Sequence, residues 1–232
     1  MGKKNKRQRQ PEDFQNLGET PRSRRAPGPL TPRTTNQGYY ISDIDRCDLI
    51  FGMGDAGTGK TFIATRKACE ALKSREVEKI IVTRPMVTAE EDMGFLPGEP
   101  EDKFAPYFAP VREILDKTLG ASHVDNLIRL KKIEIAPIAF LRGHTFENAF
   151  VIFDEAQNTT PGQMKLFLTR IGEGTKAVVC GDLGQVDIPG PSGLADAVDR
   201  FGNLPEASVT RFGPEDVTRS GLAKKIVEGY RK

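Results

Sequence analysis

The stretch "FGMGDAGTGKTFIA", residues 51–64, decides the reading of this chain. Gly54, four further residues, and then Gly59, Lys60 and Thr61 form the spacing of a loop that wraps phosphate. An apolar run precedes it and a helical pattern follows, so the loop is expected to join a strand to the N-terminus of a helix. Glycines let the backbone curl until several N–H groups converge, and the helix end adds partial positive charge. The loop Gly54, Asp55, Ala56, Gly57, Thr58, Gly59, Lys60 and Thr61 is therefore the expected nucleotide-phosphate cradle. In it Lys60 would neutralise the terminal phosphates, and the Thr61 hydroxyl would serve Mg²⁺.

Outward from the loop, short apolar runs alternate with helical patterns. Strands are expected at 48–53, 79–84, 132–137, 149–154, 176–181 and 207–212. Helices are expected at about 60–73, 103–118, 122–131, 161–171, 192–202 and 215–229, with Thr159 or Thr160 and then Ser192 as caps. Near-continuous apolar strands belong to a mostly parallel sheet with helices on both faces, so the fold class is α/β. The punctuated segment 84–104 reads as a long functional loop.

Two further strand ends carry chemistry. In "FVIFDEAQN", residues 150–158, a buried strand delivers Asp154 and Glu155 to its carboxyl end, where open α/β sheets bind ligands. Asp154 is the expected Mg²⁺ residue and Glu155 the group that orients and deprotonates an attacking water. The pair favours hydrolysis over phosphoryl transfer to a small acceptor. In "VVCGDLGQVDIPG", residues 178–190, Gln185 can contact both phosphate and water as a sensor, although Gly-Asp is also ordinary turn chemistry. Arg84, beside the 84–104 segment, is a candidate for contact with a nucleic-acid strand or for relaying motion to it, while Arg142, Arg211 and Arg219 are further basic residues; each of the four also reads as an ordinary surface arginine.

Composition excludes other classes. With 38% hydrophobic and 28% charged residues and no apolar run near ~18 residues, no membrane partner is expected. Cys47, Cys69 and Cys180 are too few and too scattered for a disulfide framework or metal cluster, and suit reduced thiols in a cytoplasmic protein. Residues 1–36 hold nine Lys and Arg against three acids, with little apolar periodicity. They read as a basic, disordered tail on a slightly acidic body, which either touches polyphosphate or simply solvates the chain. A folded domain spanning 37–232 follows.

Together the stretches "GYYISDI", "GDAGTGKT", "IIVTRPMV", "GFLPGEPEDKFAPYFAPV", "IEIAPIAFLRGHTFENAFVIFDEAQNTTPGQMKLFLTRIG", "AVVCGDLGQVDIP" and "SGLADAV" resemble the PhoH-like family, ATPases related to the core domain of superfamily 1 helicases. The resemblance runs from about Gln37 to Tyr230 and implies a RecA-like P-loop NTPase in a minimal single-domain form. It implies ATP and Mg²⁺ as cofactors, Gln37 as the reader of adenine, and Lys60, Glu155, Gln185 and Arg219 as catalytic groups. It also implies Thr61 and Asp154 at the metal. The family commonly has a hydroxyl residue where Gly184 stands and a histidine where Ser220 stands.

Helicases of that superfamily hydrolyse ATP between two such domains, and one domain lacks a second source of arginine. A homo-oligomeric ring, for example a hexamer, with Arg219 reaching the next subunit's ATP, is the expected assembly. Single-stranded RNA or DNA is the expected track. A nucleotide-gated assembly module with slow turnover, or a small-molecule P-loop kinase, are the alternatives.

Overall fold

The computed structural model describes residues 28–86, 100–141, 143 and 145–218. The segments read above as a long loop at 84–104 and as a final helix at 215–229 lie largely outside them, as do Arg142, His144, Arg219 and most of the basic tail.

Helix α1 (Thr35–Arg46) opens the fold and was not expected from the sequence. Its cap is Thr34, whose hydroxyl accepts the Gln37 N–H, and its buried face is Gln37, Tyr40 and Ile44. The folded body therefore begins before residue 37. The Gly28 carbonyl accepts from buried Arg66, and the Arg33 N–H is bonded to Gln37, so part of the stretch assigned to the tail is held against the domain.

After α1 the chain runs β1 (Leu49–Gly54), α2 (Lys60–Ser74), β2 (Lys79–Thr83), α3 (Pro100–Leu119), α4 (Ala121–Arg129) and β3 (Ile133–Ile135). It continues through β4 (Ala149–Phe153), α5 (Pro161–Leu168), β5 (Lys176–Gly181), α6 (Gly193–Phe201) and β6 (Ala207–Phe212). Every expected strand is present, though β3 is only three residues long. The strands form a six-stranded sheet in the order β3-β2-β4-β5-β1-β6, and every pairing is parallel.

Alternate residues of the central strands feed two cores, one on each face of the sheet. Ile50, Ile80, Val82, Phe150, Ile152 and Val178 meet Tyr40, Ile63, Ala68, Leu115 and Val124 from α1 to α4. Phe51, Ile81, Val151, Phe153 and Val179 meet Met164, Phe167, Leu194 and Ala197 from α5 and α6. Burial on both faces explains why the strands read as continuous apolar runs.

Two local details bear on packing. Gly52 sits on β1 where Tyr40 crosses the sheet, and a Cβ there would lie 2.7 Å from the Tyr40 hydroxyl oxygen. Helix α5 starts on a capping box between Thr160 and Gln163, with Pro161 in its first turn. Ser192, by contrast, does not cap α6 with its side chain. Its hydroxyl donates to the buried Gln157 carbonyl at 2.8 Å.

Candidate nucleotide site at the carboxyl edge of the sheet

Strands β2, β4, β5 and β1 are neighbours, so their carboxyl ends open onto one edge. The phosphate loop leaves β1, Asp154 and Glu155 leave β4, and Asp182 to Gln185 leave β5. They meet around a cavity of about 230 Å³ lined by Gly57, Lys60, Thr61, Asp154, Glu155 and Gln185, among others.

The loop is built on left-handed backbone. Gly57 and Gly59 have φ of 87° and 93°, conformations that cost a side-chain-bearing residue dearly. Thr58 folds inward, its hydroxyl donating to the Asp55 carbonyl at 2.9 Å. Lys60, the first residue of α2, turns its ammonium back across the loop to the carbonyls of Gly54 and Asp55. Burial lowers its pKa, and the carboxylates of Asp182, Asp154 and Glu155 work against that fall.

Beside it the Thr61 hydroxyl donates to the Asp154 carboxylate at 2.6 Å, joining α2 to the end of β4. Burial raises the pKa of Asp154, and Glu155 adds to this, whereas the Thr61 hydroxyl and Arg84 oppose it. A hydroxyl and a carboxylate oxygen side by side are hard donors, which suits a small divalent cation that keeps much of its water. Among the described residues no group of three or more acidic, His or Cys side chains could hold a metal alone. The Thr61 hydroxyl and the Asp154 carboxylate are thus the residues that would hold Mg²⁺.

Glu155 adopts a left-handed conformation, φ 53° and ψ 34°, uncommon for a residue with a side chain. That turn aims its carboxylate along the cavity instead of letting it continue the strand. One oxygen accepts from the Gln157 amide at 2.7 Å, and the other lies 3.6 Å from the Arg84 guanidinium. Gln185 lines the cavity with its amide donating to Asp182 at 2.5 Å.

Gln37 does not line this cavity. It is buried, its amide nitrogen donates to the Thr58 carbonyl at 2.9 Å, and its oxygen accepts the Arg33 N–H at 2.8 Å. The residue expected to read adenine thus also joins α1 to the phosphate loop. Arg211 is on β6 with its side chain exposed. Sequence reasoning passed over Phe62, half-exposed at the rim of the cavity, and Gln157, buried beneath it.

The thiols are quiet. Cys69 and Cys180 are buried and unpaired, and burial pushes both up to about 12. No helix among the described residues is long and apolar enough to cross a membrane.

A parallel sheet of this order, with a glycine loop after its β1 strand and a paired acid at the end of β4, defines the P-loop NTPase fold class. Its likeness to the large terminase of a thermophilic bacteriophage, solved in complex with ADP, is one of fold, with a TM-score of 0.52 at 13% identity over 85% of this chain and 50% of that one. Residues 29–231 match the family described as PhoH-like protein, and the chain belongs to that family. Protein PhoH of Escherichia coli (strain K12) is 48% identical over 213 residues, which cover 90% of this chain and 60% of that protein. A PhoH-like protein of Bacillus subtilis (strain 168) is 44% identical over 235 residues, 100% of this chain and 72% of its own length. The chain thus spans little more than half the length of the Escherichia coli relative.

Proposed function

We propose that this chain is a Mg²⁺-dependent ATP hydrolase whose turnover is coupled to single-stranded RNA or DNA. The observation that carries the reading is Glu155. Its carboxylate stands at the end of a buried strand, turned by a left-handed backbone, in the lining of the same cavity as Lys60 and Thr61. A strained acid held there has the geometry for orienting a water in line with a terminal phosphate.

In this reading the loop binds and orients the triphosphate, and Lys60 leaves its carbonyl partners to neutralise the outer phosphates. Thr61 and Asp154 hold Mg²⁺, which when bound neutralises charge on the phosphate oxygens. Glu155 takes the proton from the attacking water, and Gln185 follows the γ-phosphate from the neighbouring strand end. Placing such groups in advance around the developing charge is the chief source of rate. Arg219 would complete the site of the next subunit in a head-to-tail homo-oligomeric ring, for example a hexamer.

The test is phosphate release from Mg-ATP with and without single-stranded RNA or DNA, using Glu155→Gln as the blank. Release stimulated by one polymer and abolished in the variant is the expected result. Equal release by the variant sinks the hydrolytic role of Glu155. A slow rate indifferent to both polymers favours a nucleotide-gated assembly module, and label passing to an acceptor favours a kinase. Light scattering that shows a monomer turning over ATP normally, with Arg219→Ala unimpaired, rules out the ring.

A further inference from the structure

Gln157 has a position that its exposed chemistry does not explain. The residue is 1% exposed, two positions beyond Glu155, in a short helical turn from Ala156 to Asn158. A buried amide needs partners for both its donors and its acceptor. Here they all come from the site. Its Oε1 accepts the Asp182 N–H at 3.0 Å. Its Nε2 donates to the Glu155 carboxylate at 2.7 Å and to the Gln185 carbonyl at 3.3 Å.

The orientation of that amide is fixed by chemistry. A backbone N–H can only donate, so the oxygen must face Asp182, and the nitrogen then faces Glu155. The pocket admits little else. Gly181 lacks a Cβ where one would lie 2.9 Å from Oε1, and the Ser192 hydroxyl holds the Gln157 carbonyl. Asn158 makes a parallel tie, its amide oxygen accepting the Asp187 N–H at 2.8 Å. The turn after β4 and the loop after β5 are thereby latched together twice.

We infer that Gln157 is a positioning residue for hydrolysis: it sets the Glu155 carboxylate and keys it to the Asp182–Gln185 loop, so that the water-activating group and the phosphate-sensing group move as one unit. The inference rests on Glu155 acting as proposed above. A glutamate at 157 would keep the shape and an acceptor for Asp182, but would lose both donors and set a second carboxylate against Glu155. The Glu155 side chain would then be pushed away from the water it must meet.

The experiment compares wild type, Gln157→Glu and Glu155→Gln by steady-state ATP turnover, by binding of a fluorescent ADP analogue with Mg²⁺, and by thermal unfolding. Gln157→Glu is expected to lower kcat about 10- to 100-fold while KM and the ADP dissociation constant stay within about twofold, the signature of a contact that matters only in the transition state. Gln157→Met, of similar length and neutral, is measured in the same way and loses kcat too, which keeps the test open should the charged variant not fold. In a Glu155→Gln background neither change lowers the residual single-turnover rate further, because the group being positioned is gone. A folded Gln157 variant with wild-type kcat overturns the inference while leaving the function intact. Undiminished turnover by Glu155→Gln overturns both.

Discussion

Arg84 and Glu155 face each other across the ends of neighbouring strands, 3.6 Å apart, while a second nitrogen of the same guanidinium donates to the Tyr107 carbonyl of α3 at 2.6 Å. The shorter contact is the anchor and the longer one the reach. Arg84 thus ties the strained turn at the end of β4 to a helix whose Pro106 and Pro110 leave it short of two N–H donors. Arg84→Ala should lower ATP turnover about tenfold, yet move unfolding free energy by only ~1 kcal/mol, as is usual for a partly exposed ion pair. Undisturbed turnover in a folded variant would show that the pair is incidental.

The Thr61–Asp154 bond gives a separable prediction about the cation. Thr61→Ala removes one hard oxygen donor, and the Mg²⁺ concentration that half-saturates ATP binding should rise roughly tenfold, about 1.4 kcal/mol. ADP binding in chelator should change little. A Mg²⁺ titration matching wild type would remove Thr61 from the metal site.

Packing at β1 can be tested away from the site. Gly52→Ala brings a methyl group to 2.7 Å from the Tyr40 hydroxyl, and overpacking of a rigid core typically costs about 1–3 kcal/mol. Tyr40→Ala withdraws the whole obstructing ring, whose oxygen and two edge carbons all lie within 2.8 Å of that Cβ, along with its contact to Cys180. The double variant should therefore be less destabilised than the two single effects predict. Strict additivity in urea unfolding would argue that Tyr40 yields in some other way.

Asp216 links α1 to the segment that follows β6 and sets a pH dependence. Its buried carboxylate accepts from the Asn36 amide and from the Gly213 N–H, each at 2.8 Å. Burial pushes this group up, but the hydrogen bonds from Asn36, Thr34 and Gly213 outweigh it and hold the carboxyl below its ordinary value. A carboxyl lowered in the folded state contributes stability that is full above its unfolded value of about 4 and is lost as pH falls through the lowered one. Asp216→Asn should therefore destabilise at neutral pH, and the gap to wild type should close in acid below about pH 4. A gap that persists there would assign the effect to packing alone.

How much of this was legible in the sequence depends on range. The phosphate loop and the Asp154–Glu155 pair could be read because glycine spacing and apolar strand runs are local signals. Helix α1 was legible in principle. Thr34 followed three residues later by Gln37, and then by Tyr40 and Ile44, is a cap and a helical stripe, but the polar run and Gly38 obscured it. Strand β3 falls short of its expected span because only Ile133, Glu134 and Ile135 pair with β2 before Pro137 ends the run. The role of Gln157 was not legible at all. Beyond nearby Glu155, the partners of its amide lie 25 and 28 residues away, and no periodicity records a contact made between two strand ends.

The strand order also governs when the molecule becomes able to bind. Strand β1, which bears the phosphate loop, is flanked by β5 and β6, the last two strands among the described residues. Thr61 finds Asp154 at a separation of 93 residues. During synthesis the loop therefore emerges early, with α1 beside it, but its strand β1 has no partner in the sheet until residues 176–181 and 207–212 have been made. Such long-range closures are slow, since the entropy of looping is spent before the contacts form. Nucleotide affinity should accordingly appear late and all at once, which makes it a sensitive reporter of completed folding in nascent or truncated chains.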